Sequence, residues 1–537
     1  MSSRNSTQFR TGILLLFLFL GLEVQAFSQA TNASISGKVT DKNGEPLIGA
    51  ALLIKNELTG FTASAITNLT GNFTVNQLPL ATDYSVTCTY MGYGTKVFTG
   101  YDVSQGDHIK LDIELSEEAQ ALNEVSVVAN SLSNSIDRFG SSTAVTAKDM
   151  ATLPVNGRNF NSLVDLSPVS NGSNLLGQLY SSTNYTIDGM TNKSPLSSGA
   201  TNRGPFSISM EAIREFEVST NDYDVTNGRS GGGIISAVTK TGTNTVHGSA
   251  FLYNRADWLS SKYDTRGNKR EDEFAIQQYG FTLGGPIIKD KLHFFLAYDG
   301  QHDARPLYIA DIRTPADENR YNLSQESLDR YLQIARGEYG VASTPQTGSF
   351  DKKRYSHTAF ARIDYQINKS NLLTIRNNFS RDLNSQGVSD NSSINLYEVY
   401  GDHLSTANSL MASLRTEINN RLTNELKLQY LYTLDDGRPN EQLPSSNIPR
   451  AIVQRVESTV DGSNVNTTIQ LGGQRYLPER FESNVYQLVN NLYYNKGKTN
   501  FTFGMDLLLN DLTSLATSEF NGRFYFTGLD NFENKKP

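Results

Sequence analysis

The chain has 537 residues, enough for several domains. Its net charge of −8 and pI near 5.4 lack the basic footprint of a nucleic-acid binder. The mean hydropathy of −0.40 excludes a bundle of membrane-spanning helices, and a single cysteine excludes an internal disulfide framework.

The first 28 residues read as a targeting segment. Arg4 and Arg10 supply positive charge, and Gly12 to Leu22 is an apolar core too short for a stop-transfer helix. Ala26-Phe27-Ser28 fits a small-x-small cleavage site, so cleavage is expected before Gln29, and no cysteine follows for a lipid anchor. No later run of 18 or more apolar residues occurs, so further membrane insertion would have to use a β-barrel.

Residues 29–116 carry short β-prone runs separated by turns. Ile35 to Val39 reads as a strand, Asn43-Gly44 as a hairpin turn, and Tyr84 to Tyr90 alternates. This predicts a β-sandwich, with Cys88 as a small buried strand residue. The runs SGKVTDKNGEPLIGA, TNLTGNF and YMGYGTKVF resemble the carboxypeptidase regulatory-like domain. That resemblance implies no catalytic equipment. It leaves a spacer role or a carbohydrate- or partner-binding role.

Residues 117–130 form a linker holding Leu122, Asn123, Glu124, Val125, Ser126, Val127 and Val128. An isolated β-prone segment can add itself to another protein's sheet edge. The run resembles the TonB box of outer-membrane transporters from Bacteroidetes, which implies coupling through Leu122, Glu124, Val125, Val127 and Val128. The other reading is a last strand of the preceding sandwich.

Residues 131–244 read as a second globular unit with a short helix over Thr146 to Leu153. The motifs LPVNGRNF, YTIDGM, MEAIREFEV and GRSGGGIISAVTKTGTN stand in the order and spacing of the plug domain of TonB-dependent receptors, in the Oar-like branch. The resemblance implies an α+β plug seated in a barrel. Arg158, Arg229, Gly231, Gly232 and Gly233 are the expected seating residues, with acidic partners required on the barrel for any buried arginine. Asp188 and Gly189 are candidates for ligand contact, although a turn alone accounts for them. NSLSNSIDRFG departs from the YGTQ-like run of the branch that pairs with a lid lipoprotein, which leaves that partner open.

From residue 245 to 537 the chain alternates. Tyr279, Phe281 and Leu283 run into a turn and Leu292, Phe294, Leu296 and Tyr298 return. Ala359 to Ile367, Leu410 to Ile418 and Tyr486 to Tyr494 begin similar hairpins, with Arg362, Asp364, Gln366, Lys427, Gln429 and Thr433 on the opposite face. Apolar-out, polar-in strands joined alternately by tight turns and long polar segments are the signature of a transmembrane barrel. The long segments, His302 to Lys353, Arg381 to Leu404 and Asp435 to Arg480, are expected to be loops. The region holds roughly ten to fourteen strands against about 22 in outer-membrane transporters. Phe532 to Pro537 reads as an interrupted loop rather than a closing strand. An N-terminal part of a longer barrel is expected, with a smaller complete barrel as the alternative.

Other chemistry finds little support. Gly228-Arg229-Ser230-Gly231-Gly232 matches G-x-S-x-G, but a hydrolase elbow needs a helix after the serine, and IISAV is strand-like. Asp222 and Asp224 lack the later bidentate acid of a calcium loop. The six histidines are dispersed. No catalytic residue, cofactor or metal is assigned.

The expected fold is mainly β: a sandwich, an α+β plug and a partial antiparallel transmembrane barrel. By resemblance this is a TonB-dependent receptor or transporter in the bacterial outer membrane, with its N-terminal domain in the periplasm. Its partners would be the TonB complex, outer-membrane lipids and an extracellular ligand of unknown class. The alternative is an outer-membrane adhesion or structural protein using the same fold without transport.

Overall fold

The computed structural model describes residues 33–117, 125–128, 136–137, 141–152, 164, 166–171, 174–178, 182–193, 208–220, 228–263, 267, 269, 273–390, 392–496 and 499–537. The targeting segment lies outside them, as do Leu122, Glu124, Arg158, Asp222 and Asp224.

Ten strands build the N-terminal sandwich. They are β1 (Ser34–Thr40), β2 (Ala51–Asn56), β3 (Thr62–Ile66), β4 (Asn72–Val75) and β5 (Ala81–Thr89), then β6 (Lys96–Val103), β7 (His108–Lys110), β8 (Ile113–Glu114), β9 (Val125–Val128) and β10 (Ile136–Asp137). One sheet runs β10-β7-β1-β4 with β8 also on β1, and the other runs β3-β2-β5-β6-β9. Alternation puts Leu52, Ile54, Tyr84, Val86 and Cys88 in the core between them. Tyr84 anchors its own loop by donating to the Pro79 carbonyl at 2.6 Å. Cys88 is a free, buried thiol.

Of the two readings of the β-prone linker, the edge strand is the one seen. Residues 125–128 pair parallel to β6, Lys96 opposite Val125 and Thr99 opposite Val128.

The next unit is a five-stranded sheet. It uses β11 (Ser141–Thr146), β14 (Thr183–Ile187), β15 (Met190–Thr191), β16 (Ile213–Thr220) and β17 (Gly233–Thr239). A small hairpin, β12 (Ser170–Asn171) with β13 (Asn174–Leu175), lies beside it. The order is β11-β16-β17-β14-β15, with only β14 and β17 parallel. The expected helix spans Ala147–Thr152, with Thr146 Oγ1 accepting from the Asp149 backbone and donating to its carboxylate. This central sheet packs Tyr185, Ile187, Phe216 and Ile235 against Phe295, Ala297 and Phe360 of the strands that follow.

Those strands are β18 (His247–Ala256), β19 (Ala275–Ile288), β20 (Leu292–Ile309), β21 (Gly348–Asn368), β22 (Asn371–Val388), β24 (Gly401–Asn419), β25 (Leu422–Arg438), β28 (Glu479–Lys496) and β29 (Thr499–Leu515), with β23 (Ile394–Asn395), β26 (Arg450–Val460), β27 (Ser463–Gly472) and β30 (Arg523–Thr527) forming a separate sheet. The nine form one antiparallel meander, here called the wall. Its outer face exposes Tyr279, Phe281, Leu283, Ile363, Ile375, Leu410, Leu428 and Leu507. Its inner face buries Asp364, Arg376, Lys427, Gln429 and Gln487. That inversion, apolar side chains outside and charged ones within, fits a sheet whose outer solvent is lipid. Aromatic clusters mark both ends of the outer band. Tyr279, Phe281 and Tyr298 sit toward the long connections, Tyr494 and Phe501 toward the tight turns.

The long connections are not loops, which corrects the sequence reading. A strand needs about 9–11 residues to cross a bilayer, and β21 has 21. The excess rises past the apolar band and carries a folded cap. In it, β23-β27-β26-β30 form a sheet covered by helices Pro315–Tyr321, Gln325–Tyr339 and Gly528–Glu533. Leu328, Tyr331, Val453, Ile469 and Phe532 make its core. The chain end expected as an interrupted loop begins in a docked helix, Gly528–Glu533, with Phe532 stacked on Tyr339 at 4.4 Å, and only the residues after Glu533 are turn and coil. Polar composition hid this because the apolar residues come from four segments distant in sequence.

Candidate functional site

The inner face of the wall and the β14–β15 edge of the central sheet meet through charged and amide groups. Ile187-Asp188-Gly189-Met190 is a tight turn with φ of +50° at Asp188 and +76° at Gly189. This left-handed geometry suits Asp-Gly and directs the Asp188 carboxylate at the wall. Thr239 at the end of β17 donates its N–H to Asp188 Oδ1 at 2.9 Å and its hydroxyl to Oδ2 at 3.0 Å. Arg376 of β22, fully buried, forms an ion pair with Oδ2 at 2.7 Å and donates to the Ile187 carbonyl at 2.8 Å. Arg362 of β21 stands 4.0 Å from Oδ1.

Arg362 is itself clamped. Its Nε and Nη2 donate to Asp364 at 2.9 Å each, a bidentate geometry, while Nη1 donates to Thr239 Oγ1 at 2.8 Å. Asp364 also accepts from Thr241 at 2.6 Å and Thr374 at 2.7 Å. Residues 362 and 364 lie two apart on β21, so alternation places both inward.

The seam continues along β15. Lys427 donates to the Asp188 carbonyl at 3.2 Å and pairs with Glu425 at 3.2 Å. The Gln429 amide donates to the Thr191 carbonyl at 2.6 Å, and the Thr191 N–H donates to Gln487 Oε1 at 3.0 Å. Gln487 in turn donates to Asp506 at 3.1 Å, and Arg229 reaches the same carboxylate at 2.9 Å. Four cations (Arg229, Arg362, Arg376, Lys427) thus face four carboxylates (Asp188, Asp364, Glu425, Asp506). The balance keeps the desolvated charges compensated.

The expected site residues fall in different places. Arg229 does reach the wall, with Asp506 as its acidic partner. Gly232 and Gly233 have their closest neighbours elsewhere. A Cβ on Gly232 would meet Ser182 and Gln178, and one on Gly233 would meet Leu175 and the Ser219 carbonyl at 2.8 and 2.9 Å, all within the central unit. The closest neighbours of these glycines thus lie in the central unit. Gly231 approaches Ser182. Asp188, a candidate for ligand contact, is 8% exposed and engaged on both carboxylate oxygens. Its carboxylate faces the wall. The serine of the G-x-S-x-G run accepts from the Gly233 N–H at 2.8 Å and closes its own turn before a strand.

Sequence reasoning missed Arg376, Asp506 and Gln487. Each is a polar residue among outward apolar neighbours on a long strand, and that alternation was the available signal. Nothing in it names a partner 189 residues away, the separation of Arg376 from Ile187.

A long antiparallel wall with an apolar outer face and a charged inner face is the polarity of an outer-membrane barrel, here with a second sheet packed against its inner face. The chain belongs to the outer membrane beta barrel domain family, which matches residues 238–349 and 340–536. Residues 34–116 match the carboxypeptidase regulatory-like domain. The chain is similar to the TonB-dependent transporter Oar of Myxococcus xanthus, 28% identical over 303 residues that cover 52% of this chain and 27% of that protein. Solved structures it resembles include the siderophore receptor PirA of Pseudomonas aeruginosa (14% identity, TM-score 0.41, 70% of this chain and 48% of that one). The outer-membrane transporter YddB of Escherichia coli is another (15% identity, TM-score 0.47, 69% and 48%). The chain spans about a quarter of the length of Oar and about half of the two solved chains.

Proposed function

We propose that the chain is the N-terminal portion of a TonB-dependent outer-membrane receptor that imports an extracellular ligand. The observation that carries this reading is the seam: a separately folded sheet whose β14–β15 edge is held to the wall by charge pairs and amide bridges, beside an apolar contact with Phe295, Ala297 and Phe360. A plug that must shift and return needs an interface that is specific but separable, and compensated ion pairs with amide bridges provide one. In this reading residues 125–128 leave the sandwich edge, and the segment Leu122 to Val128 pairs with the periplasmic strand of TonB, as a β-prone segment can. The pull loosens the plug, and the ligand passes along the polar inner wall. The similarity to Oar supports this class of function, and the ligand remains to be found.

The test is a photo-crosslinking residue at position 127 of the protein in its native outer membrane. A crosslink to TonB from position 127, and loss of the cellular phenotype when Leu122 to Ala129 is deleted, support the reading. Crosslinks to the sandwich alone, with the phenotype surviving the deletion, would favour the adhesion role instead.

A further inference from the structure

The sandwich is seated across the whole turn end of the wall. Each of the four tight turns there has a sandwich contact beside it. Gly60 lies so close to the β19–β20 turn that an added Cβ would stand 2.7 Å from Asp290 Cα. Leu372, at the start of β22, packs on the sandwich core. Ser64 donates to Glu417 near the end of β24 at 3.4 Å, and Asn76 donates to Asn495 near the end of β28 at 2.9 Å. Arg415, buried on β24, donates Nε to the Gln77 carbonyl at 2.7 Å and Nη2 to the Asn76 carbonyl at 3.1 Å. Its guanidinium also sits 5.3 Å over the Phe61 ring.

The same sandwich grips the plug. Just past β6, the Gln105 backbone N–H donates to Glu215 of β16 at 3.2 Å, and its side-chain amide donates to Ser236 of β17 at 3.0 Å. Arg214 of β16 donates to the Val103 carbonyl at 3.0 Å. β6 therefore carries the paired segment 125–128 along its edge and the plug contacts at its end.

We propose that the sandwich is a gate on the turn end of the barrel. It must unseat from Arg415 and release Gln105 before the plug can move out past the turns. The handle and the bolt share one strand, so a pull on residues 125–128 loads the gate before it loads the plug. That last clause rests on the receptor reading. The docking itself does not.

The test uses the full chain in outer membranes, with Cys88→Ala to remove the native thiol. Asn76→Cys with Asn495→Cys gives a disulfide tether, and Ser236→Cys reports exposure under Gln105 to a maleimide-polyethylene glycol probe. The gate predicts that the tether forms on mild oxidation and protects the reporter. It also predicts labelling at least about tenfold faster in Arg415→Ala/Gln105→Ala, the scale of one lost charge-assisted hydrogen bond. Arg415→Lys should fall between, and it serves if the double variant is not assembled. Failure of the tether to form, or equal labelling with and without it, overturns the gate. Comparing energised cells with protonophore-treated cells separates the two ideas. If labelling ignores energy but still follows the tether, the gate stands and TonB coupling falls.

Discussion

Replacing Asp188 by asparagine removes one negative charge and keeps the shape of the turn. The amide oxygen of the new side chain can still accept from the Thr239 N–H, so the tight turn should survive. What changes is the other side. Arg376, with its side chain fully buried, loses the carboxylate 2.7 Å away and keeps the Ile187 carbonyl, Ser409 and a long contact to Gln429, none of them charged. Leaving one member of a buried pair alone costs about 3–5 kcal/mol, roughly 10²- to nearly 10⁴-fold in the population of unseated plug. Thr239→Val, which removes only a hydroxyl, should cost about 1 kcal/mol. The assay is maleimide labelling of Thr191→Cys in a Cys88→Ala background, its rate followed against urea. The double variant Asp188→Asn/Arg376→Gln should recover much of the loss, because the stranded charge is gone. Labelling of Asp188→Asn within twofold of the parent, or additive losses in the double variant, would refute the seam as the plug's anchor.

Four further outcomes follow from particular contacts. Gly233→Ala should weaken the plug by about 1–3 kcal/mol, since φ is +142° and the new methyl meets the Ser219 carbonyl; the same labelling assay reads it. Phe532→Ala should cost the cap about 3–5 kcal/mol and make Gln325–Tyr339 sensitive to limited proteolysis while the wall stays intact. Burial holds the Glu398 carboxyl above the usual carboxylate range, opposed in part by the Gly472 N–H. Its contribution to cap stability is full below the unfolded carboxylate pKa and is lost as pH rises through the raised folded value, so Glu398→Gln should stabilise the cap most at neutral pH in pH-dependent melting. Burial pushes the Cys88 thiol up to about 11, so maleimide should label it at pH 8 only after the sandwich unfolds.

The parts legible in the sequence were those written in a short period. Alternation separated the faces of β19 through β29, because a strand's side chains alternate whatever it pairs with. Asn-Gly and Asp-Gly marked turns for the same local reason. Arg229 could be named as needing an acid, since a buried guanidinium is costly alone. Asp506 could not, because the register that brings it across is set by nine strands together. The cap failed for a related reason. Tyr331, Phe350, Tyr397 and Phe532 look like stray aromatics in polar stretches, and they become a core or its rim only when separate connections rise on strands long enough to meet above the band.

Asp188 shows how the two kinds of information combine. Its turn was readable and its role was not, because a turn aspartate facing solvent and one facing Arg376 have the same neighbours in sequence. What decides between them is the inner wall. Arg362 and Arg376 bring two positive charges to one place, Asp364 holds the first in a bidentate clamp, and the second is left for a carboxylate from elsewhere. The wall is therefore shaped electrostatically for this turn. The central sheet is held at its β14–β15 edge by Arg376 and Gln429, and on β16 and β17 by Gln105 of the sandwich. If the sheet moves as proposed, Arg229, the one seam cation left 36% exposed, stands where water and salt most easily reach the pair.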